Sequence, residues 1–184
     1  MSSGPFRHSA FCILPSSFTF RGENAFAKEP VRSQDAAMKL QGSHFIAAPP
    51  ARVFEALNDP AVLQRAIPGC EKLEKTGEDE YNAHLKIGLA AIKGSYVGKV
   101  RLTDKDPPRK YTLHMEGRGA PGFVTGKTAV ELNEEAQGTR LIYTAEAQVG
   151  GLIAAVGSRL IEAGAKKLSD EFFKTFTAIV TGQR

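Results

Sequence analysis

Val149-Gly-Gly-Leu-Ile-Ala-Ala-Val-Gly-Ser-Arg-Leu-Ile-Glu-Ala-Gly-Ala-Lys-Lys-Leu-Ser-Asp-Glu-Phe-Phe-Lys-Thr-Phe-Thr-Ala-Ile-Val180 runs without a proline. Apolar or small residues recur through it at Ala154, Gly157, Ile161, Gly164, Ala165, Leu168, Phe172, Phe176 and Ile179. Steps of three and four put this set on one helical stripe. Arg159, Glu162, Lys166, Asp170 and Lys174 fall on the opposite side. The pattern predicts one long amphipathic helix starting at Gly150-Gly151, with an oily face that a second layer must cover.

That layer lies upstream. Thr139–Val149 sets Leu141, Tyr143, Ala145 and Ala147 on one side. Glu80–Leu89 does the same with Tyr81, Ala83, Leu85 and Ile87, and Ile92–Asp104 with Tyr96, Gly98, Val100 and Leu102. Tyr111, Leu113 and Met115 alternate after Pro107-Pro108, and Val124–Asn133 completes the set. Period two with one polar face predicts antiparallel strands wet on one side, and short turn-rich connections predict a meander. Met38–Ile46 also has strand character. Pro50 suits the first turn of a short helix ending at Leu57, with Val53, Phe54 and Leu57 on one face. Asn58-Asp59-Pro60 closes it and caps a second short helix, which ends before Pro68-Gly69.

The predicted fold class is therefore α+β. A strongly curved antiparallel sheet of about seven strands grips a long C-terminal helix, with two short helices after the first strand. Gly157, Gly164 and Ala165 leave space where a packed core would use Leu or Ile. Either the helix lies close on the sheet, or the two enclose a cavity.

Composition narrows the function. A chain of 184 residues suits one domain plus an appendage. Its net charge of +4 is spread along the chain, which argues against a nucleic-acid groove. No apolar run approaches the roughly 20 residues of a spanning helix. Cys12 and Cys70 form no spaced pair, so neither a disulfide framework nor a zinc site is expected, and a reducing compartment is the default. Residues 1–37 show no helical or alternating period. They are expected to be a disordered or non-native leader, with a cleaved targeting segment as the alternative. The folded domain is expected over 38–180, followed by a short tail at 181–184.

Several segments carry a family resemblance. These are Ala48-Pro49-Pro50-Ala51-Arg52-Val53-Phe54-Glu55-Ala56-Leu57-Asn58-Asp59-Pro60, Ile67-Pro68-Gly69-Cys70-Glu71, Ile92-Lys93-Gly94-Ser95-Tyr96, Val100-Arg101-Leu102, Gln148-Val149-Gly150-Gly151 and Val156-Gly157-Ser158-Arg159-Leu160-Ile161. Together they resemble the carbon monoxide dehydrogenase G-subunit family, within the START-like, polyketide-cyclase-like helix-grip superfamily. Phe54 stands where tryptophan is also common, and the chain stops at Gln183-Arg184 where some relatives carry an extension. The resemblance implies an apolar cavity and service to a molybdenum hydroxylase of the carbon monoxide dehydrogenase type, as a membrane attachment or a carrier of respiratory quinone. It also implies a cytoplasmic protein, peripheral at the inner face of the cell membrane. No covalent cofactor is expected; the implied ligand is menaquinone, ubiquinone or a similar isoprenoid lipid.

Catalytic chemistry is hard to find. His8 lies in the leader, and His44, His84 and His114 show no metal-ligand spacing. His84 and His114 fall on polar strand faces, whereas the facing of His44 is ambiguous. Cys70 has no adjacent base, and Glu55, Asp59 and Glu71 suit capping and solvation. No catalytic or metal residue is assigned. The expected cavity lining is Leu85, Ile87, Tyr96, Leu113, Met115, Tyr143, Ile161, Gly164, Leu168 and Phe172, with Tyr96 or Tyr143 as donor to a quinone oxygen. Uncharged segments supply expected membrane or partner contacts at Leu89, Ile92, Phe123, Val124, Leu152 and Val156. Phe123 and Val124 are placed on a mobile loop over Gly117–Gly126. Two competing functions remain: a helix-grip enzyme acting on a small aromatic or polyketide-like substrate, revived if His44 faces inward, and a purely structural membrane tether.

Overall fold

The computed structural model describes residues 36–88 and 93–182. In chain order the elements are β1 (Ala36–Ile46), α1 (Pro50–Leu57), α2 (Pro60–Ala66), β2 (Cys70–Lys75), β3 (Glu80–Ile87), β4 (Gly94–Asp106), β5 (Lys110–Gly119), β6 (Gly122–Glu135), β7 (Gly138–Gly150) and α3 (Ser158–Thr181). The strands form one antiparallel sheet in the order β1-β7-β6-β5-β4-β3-β2, curved around the C-terminal helix. Strands β2 to β7 follow the predicted meander. β1 joins β7 across the sheet and leaves β1 and β2 as edges.

The two short helices form as their sequences dictate. Pro50 occupies the first turn of α1, which buries Val53, Phe54 and Leu57. The Asp59 carboxylate accepts the Ala61 N–H at 2.8 Å and caps α2. Arg52 Nε donates to the Val180 carbonyl at 3.1 Å, tying α1 to the end of α3. Buried Thr139 donates its hydroxyl to the Ala48 carbonyl at 2.7 Å, fixing the start of β7 to the turn before α1.

Two expectations are corrected. The long helix does not begin at Gly150-Gly151. Val149 and Gly150 are strand residues, and Val149 pairs with both Ala36 and Val124. Gly151–Val156 then forms a 3-10 turn, and Gly157 at φ 92°, ψ 144° separates it from α3. That conformation is open to glycine and costly for other residues, so the helical path breaks there and restarts at Ser158. Nor is Gly117–Gly126 a loop. β5 and β6 extend through it and leave only Ala120-Pro121 as the turn, with Phe123 and Val124 inside the ladder.

The core divides in two. One cluster packs Ile46, Val53, Phe54, Leu57, Tyr81 and Leu141 around Phe173, Phe176 and Val180 of α3. The other joins Met38, Tyr96, Val149 and Ile153 to Ile161, near the start of α3. Phe173 and Val180, absent from the predicted stripe, are buried, so the helix is rolled slightly toward them. Phe172 and Ile179 remain partly buried.

Candidate functional site: the space between sheet and helix

Register fixes which residues meet inside the sheet. Val100, Met115, Gly126, Ala147 and Met38 form one cross-strand row. Leu102, Leu113, Thr128, Ala145 and Leu40 form the next, and Gly98, Gly117, Val124, Val149 and Ala36 a third. Small residues dominate the middle of this surface. Gly98 is buried, yet a Cβ there would come no closer than 3.5 Å to another atom. Its missing side chain therefore leaves volume inside rather than relieving a clash.

All ten expected lining residues are described. Tyr96 and Ile161 are buried in the second cluster, with Leu85 and Ile87 packed against it. Leu113, Tyr143 and Phe172 pack against the first. Met115 and Leu168, together with Ala145, are partly exposed and belong to neither cluster. Gly164 is half-buried on α3 between the two. A band of partly solvated apolar surface thus separates two packed regions on the inner face. A recess of about 240 Å³ adjoins it, lined by Pro68, Gly69, Lys86, Ile87, Gly88, Leu168 and Glu171. Burial raises the pKa of the Tyr96 hydroxyl, which keeps it a protonated donor at neutral pH.

His44 faces inward. It pairs with Leu141, a fully buried residue of β7, and opposite residues of an antiparallel pair share a face. Met38, Leu40 and Ile46 have the same parity in β1, a signal present in the sequence. The ring stacks on Phe173 with centroids 4.0 Å apart and planes 19° apart. Tyr143 lies 5.5 Å from Phe173 and 6.1 Å from His44 in the same orientation. Burial lowers the His44 pKa, opposed by Asp170 and reinforced by Lys166. His84 is exposed on the outer face, and His114 meets the Thr103 hydroxyl at 3.0 Å. Among the described residues, no cluster of three or more His, Cys, Asp or Glu side chains could hold a metal ion.

The expected contact residues separate. Leu152 is 74% exposed, and Phe123 and Val156 are also exposed. Leu160, which spacing had not singled out, is 57% exposed. Val124 points inward and packs against the Met38–Tyr96 cluster. Leu89 and Ile92 lie outside the described residues. Phe123 pairs with Gly150, and the Ile153 N–H donates to the Pro121 carbonyl at 2.9 Å. These contacts bring the β5–β6 turn and the 3-10 turn to one end of the sheet.

A curved antiparallel sheet closed over a long C-terminal helix, with two short helices between the first strands, defines a helix-grip protein. Solved structures agree. A conserved protein from Geobacillus kaustophilus is 38% identical, with 79% of this chain and 96% of that chain covered and a TM-score of 0.77. The Zhui aromatase/cyclase from Streptomyces sp. R1128 is 18% identical over 79% of this chain and 94% of its own, with a TM-score of 0.60. Ara h 8.0201 is 14% identical over 80% and 100%, also at 0.60. A comparison with curated proteins finds no match. The sequence pattern of CoxG, the G-subunit of carbon monoxide dehydrogenase, matches residues 42–181, and the chain belongs to that family.

Proposed function

We propose that the chain is a non-catalytic accessory protein. It carries a respiratory quinone, menaquinone or ubiquinone, or a similar isoprenoid lipid between sheet and helix. It links a carbon monoxide dehydrogenase-type molybdenum hydroxylase to the membrane. Family and fold together suggest a ligand-binding accessory protein. The observation that carries the finer reading is the partly solvated band of Met115, Ala145 and Leu168 between two packed clusters. Packed interiors rarely leave apolar side chains unfilled, so a guest of similar polarity fits there. Each methylene it buries contributes about 0.8 kcal/mol, so an isoprenoid tail can dominate binding with few polar contacts. Tyr96 and Tyr143 supply hydroxyls for the ring oxygens.

His44 favours a second reading, an enzyme acting on a small aromatic or polyketide-like substrate, because it places a titratable ring on the inner face. Such chemistry needs a partner group acting on the same substrate atom. The ring stacks on Phe173 and Tyr143, and the nearby Asp170 carboxylate is engaged by Lys166.

Native mass spectrometry with organic extraction, on protein purified without detergent, tests carriage. A stoichiometric quinone or isoprenoid lipid is the expected result. Gly164→Phe, which fills the space beside Ile161 and Leu168, should abolish it while the circular dichroism spectrum stays unchanged. An apoprotein that also refuses added menaquinone and ubiquinone would overturn the proposal in favour of a protein–protein tether.

A further inference from the structure

A second recess opens where the β1 edge of the sheet meets α3. Along α3, Asp170, Phe173, Lys174, Thr177 and Ala178 recur at steps of three and four and form one stripe. This stripe faces His44 and Phe45 of β1 across an open groove of about 520 Å³, within the size range of small-molecule sites. β1 is an edge strand, so among the described residues no further strand closes the groove from that side.

The chemistry of the walls is specific. Phe173 covers one face of the His44 ring, and His44 is only half-buried, so its remaining surface opens on the groove. The open surface of the His44 ring, backed by buried Phe173, therefore offers a stacking wall for a planar guest. The charges are uneven. Asp170 is held by Lys166, with Nζ 3.1 Å from Oδ2. Lys174 forms no ion pair among the described residues, which leaves one uncompensated cation at the rim. An aromatic wall with one free ammonium matches a flat ring bearing a single negative charge.

We propose that this groove binds a planar aromatic carboxylate, with its ring against His44, which Phe173 backs, and its carboxylate on Lys174. The site is separate from the proposed quinone site and does not depend on it. It would let the protein respond to a soluble aromatic acid while the interior holds its apolar guest.

2-Naphthoate is the probe and 2-naphthylmethanol its neutral counterpart, titrated into the full chain and followed by amide chemical shifts. Saturable naphthoate binding is expected, with shifts confined to residues 44–45 and 170–178. Lys174→Gln should weaken naphthoate about tenfold or more, the scale of one charge-assisted contact, and leave the alcohol unchanged. His44→Ala should weaken both probes by removing the wall. Gly164→Phe should keep naphthoate binding, and Lys174→Gln should keep quinone uptake, so this site and carriage fail independently. The proposal is overturned if naphthoate does not saturate, if its shifts map to Ile161–Leu168 instead, or if Lys174→Gln leaves its affinity unchanged.

Discussion

His44 shows how one side chain records its surroundings. Its folded pKa is lowered chiefly by burial against Phe173, with Asp170 and Lys166 acting in opposite senses. In the unfolded chain the imidazole returns to its ordinary value near 6.5. Above that value the ring is neutral in both states and folding is unaffected. As pH falls through it, the unfolded chain takes up the proton first, so stability declines until the lowered folded pKa is passed. Urea midpoints measured from about pH 8 to pH 5 should therefore fall more steeply for the wild type than for His44→Phe. Equal slopes would mean that the ring is as well solvated in the fold as in the unfolded chain. The same side chain marks a limit of sequence reading. Its parity matches Met38, Leu40 and Ile46, but Gly42 and Ser43 dilute the alternation around it. Gly42 itself lies against the far end of the Tyr143 ring, which a Cβ there would meet at 2.7 Å and displace, a contact no local pattern reveals.

Among the elements, the junction between β7 and α3 departs most from expectation. Gly157 adopts a conformation reserved for glycine, although nothing lies within 4 Å of where a Cβ would sit. The restraint is thus backbone strain and not crowding. Gly157→Ala should cost about 1–3 kcal/mol, read as a lower urea midpoint at constant slope. If stability instead rises and amide protection extends into residues 151–157, the helix has absorbed the 3-10 turn and the break is not required. This junction was illegible because Gly151–Val156 is uncharged and fits the helical stripe by spacing, whereas positive φ leaves no mark on hydrophobic period. The strands were legible because period two is local: Leu141, Tyr143, Ala145 and Ala147 face inward in β7 as their alternation requires. For the same reason, parity alone gave the inward facing of the strand-borne residues expected to line a cavity. The roll of α3 was not legible, since neighbouring Phe172 and Phe173 compete for burial and only the facing sheet decides between them.

At the scale of the whole molecule, the apolar surface of the described residues gathers at one end of the sheet. Phe123, Leu152, Val156 and Leu160 are exposed around the β5–β6 turn, the 3-10 turn and the start of α3. Arg118 stands opposite Phe123 in the ladder, and Arg159 adjoins Leu160. Lys93 precedes Gly94, where a Cβ would meet Pro121 at 2.8 Å, so it too neighbours the turn. Among the described residues no helix is long and apolar enough to cross a membrane. Attachment in the proposed function would therefore rest on this end, with apolar side chains entering the interface and basic ones meeting anionic headgroups. The protein should co-sediment with vesicles containing anionic phospholipid, less so as salt is raised toward about 0.5 M, because exposed charges are screened. Leu152→Glu with Leu160→Glu should abolish co-sedimentation. It should shift stability by no more than about 0.5 kcal/mol, since both side chains already face solvent. Arg118→Gln with Arg159→Gln should weaken binding to anionic vesicles and leave binding to neutral ones unchanged. Should the double glutamate variant still bind vesicles as the wild type does, attachment would belong elsewhere on the chain, and this end would be left as a surface for the partner enzyme.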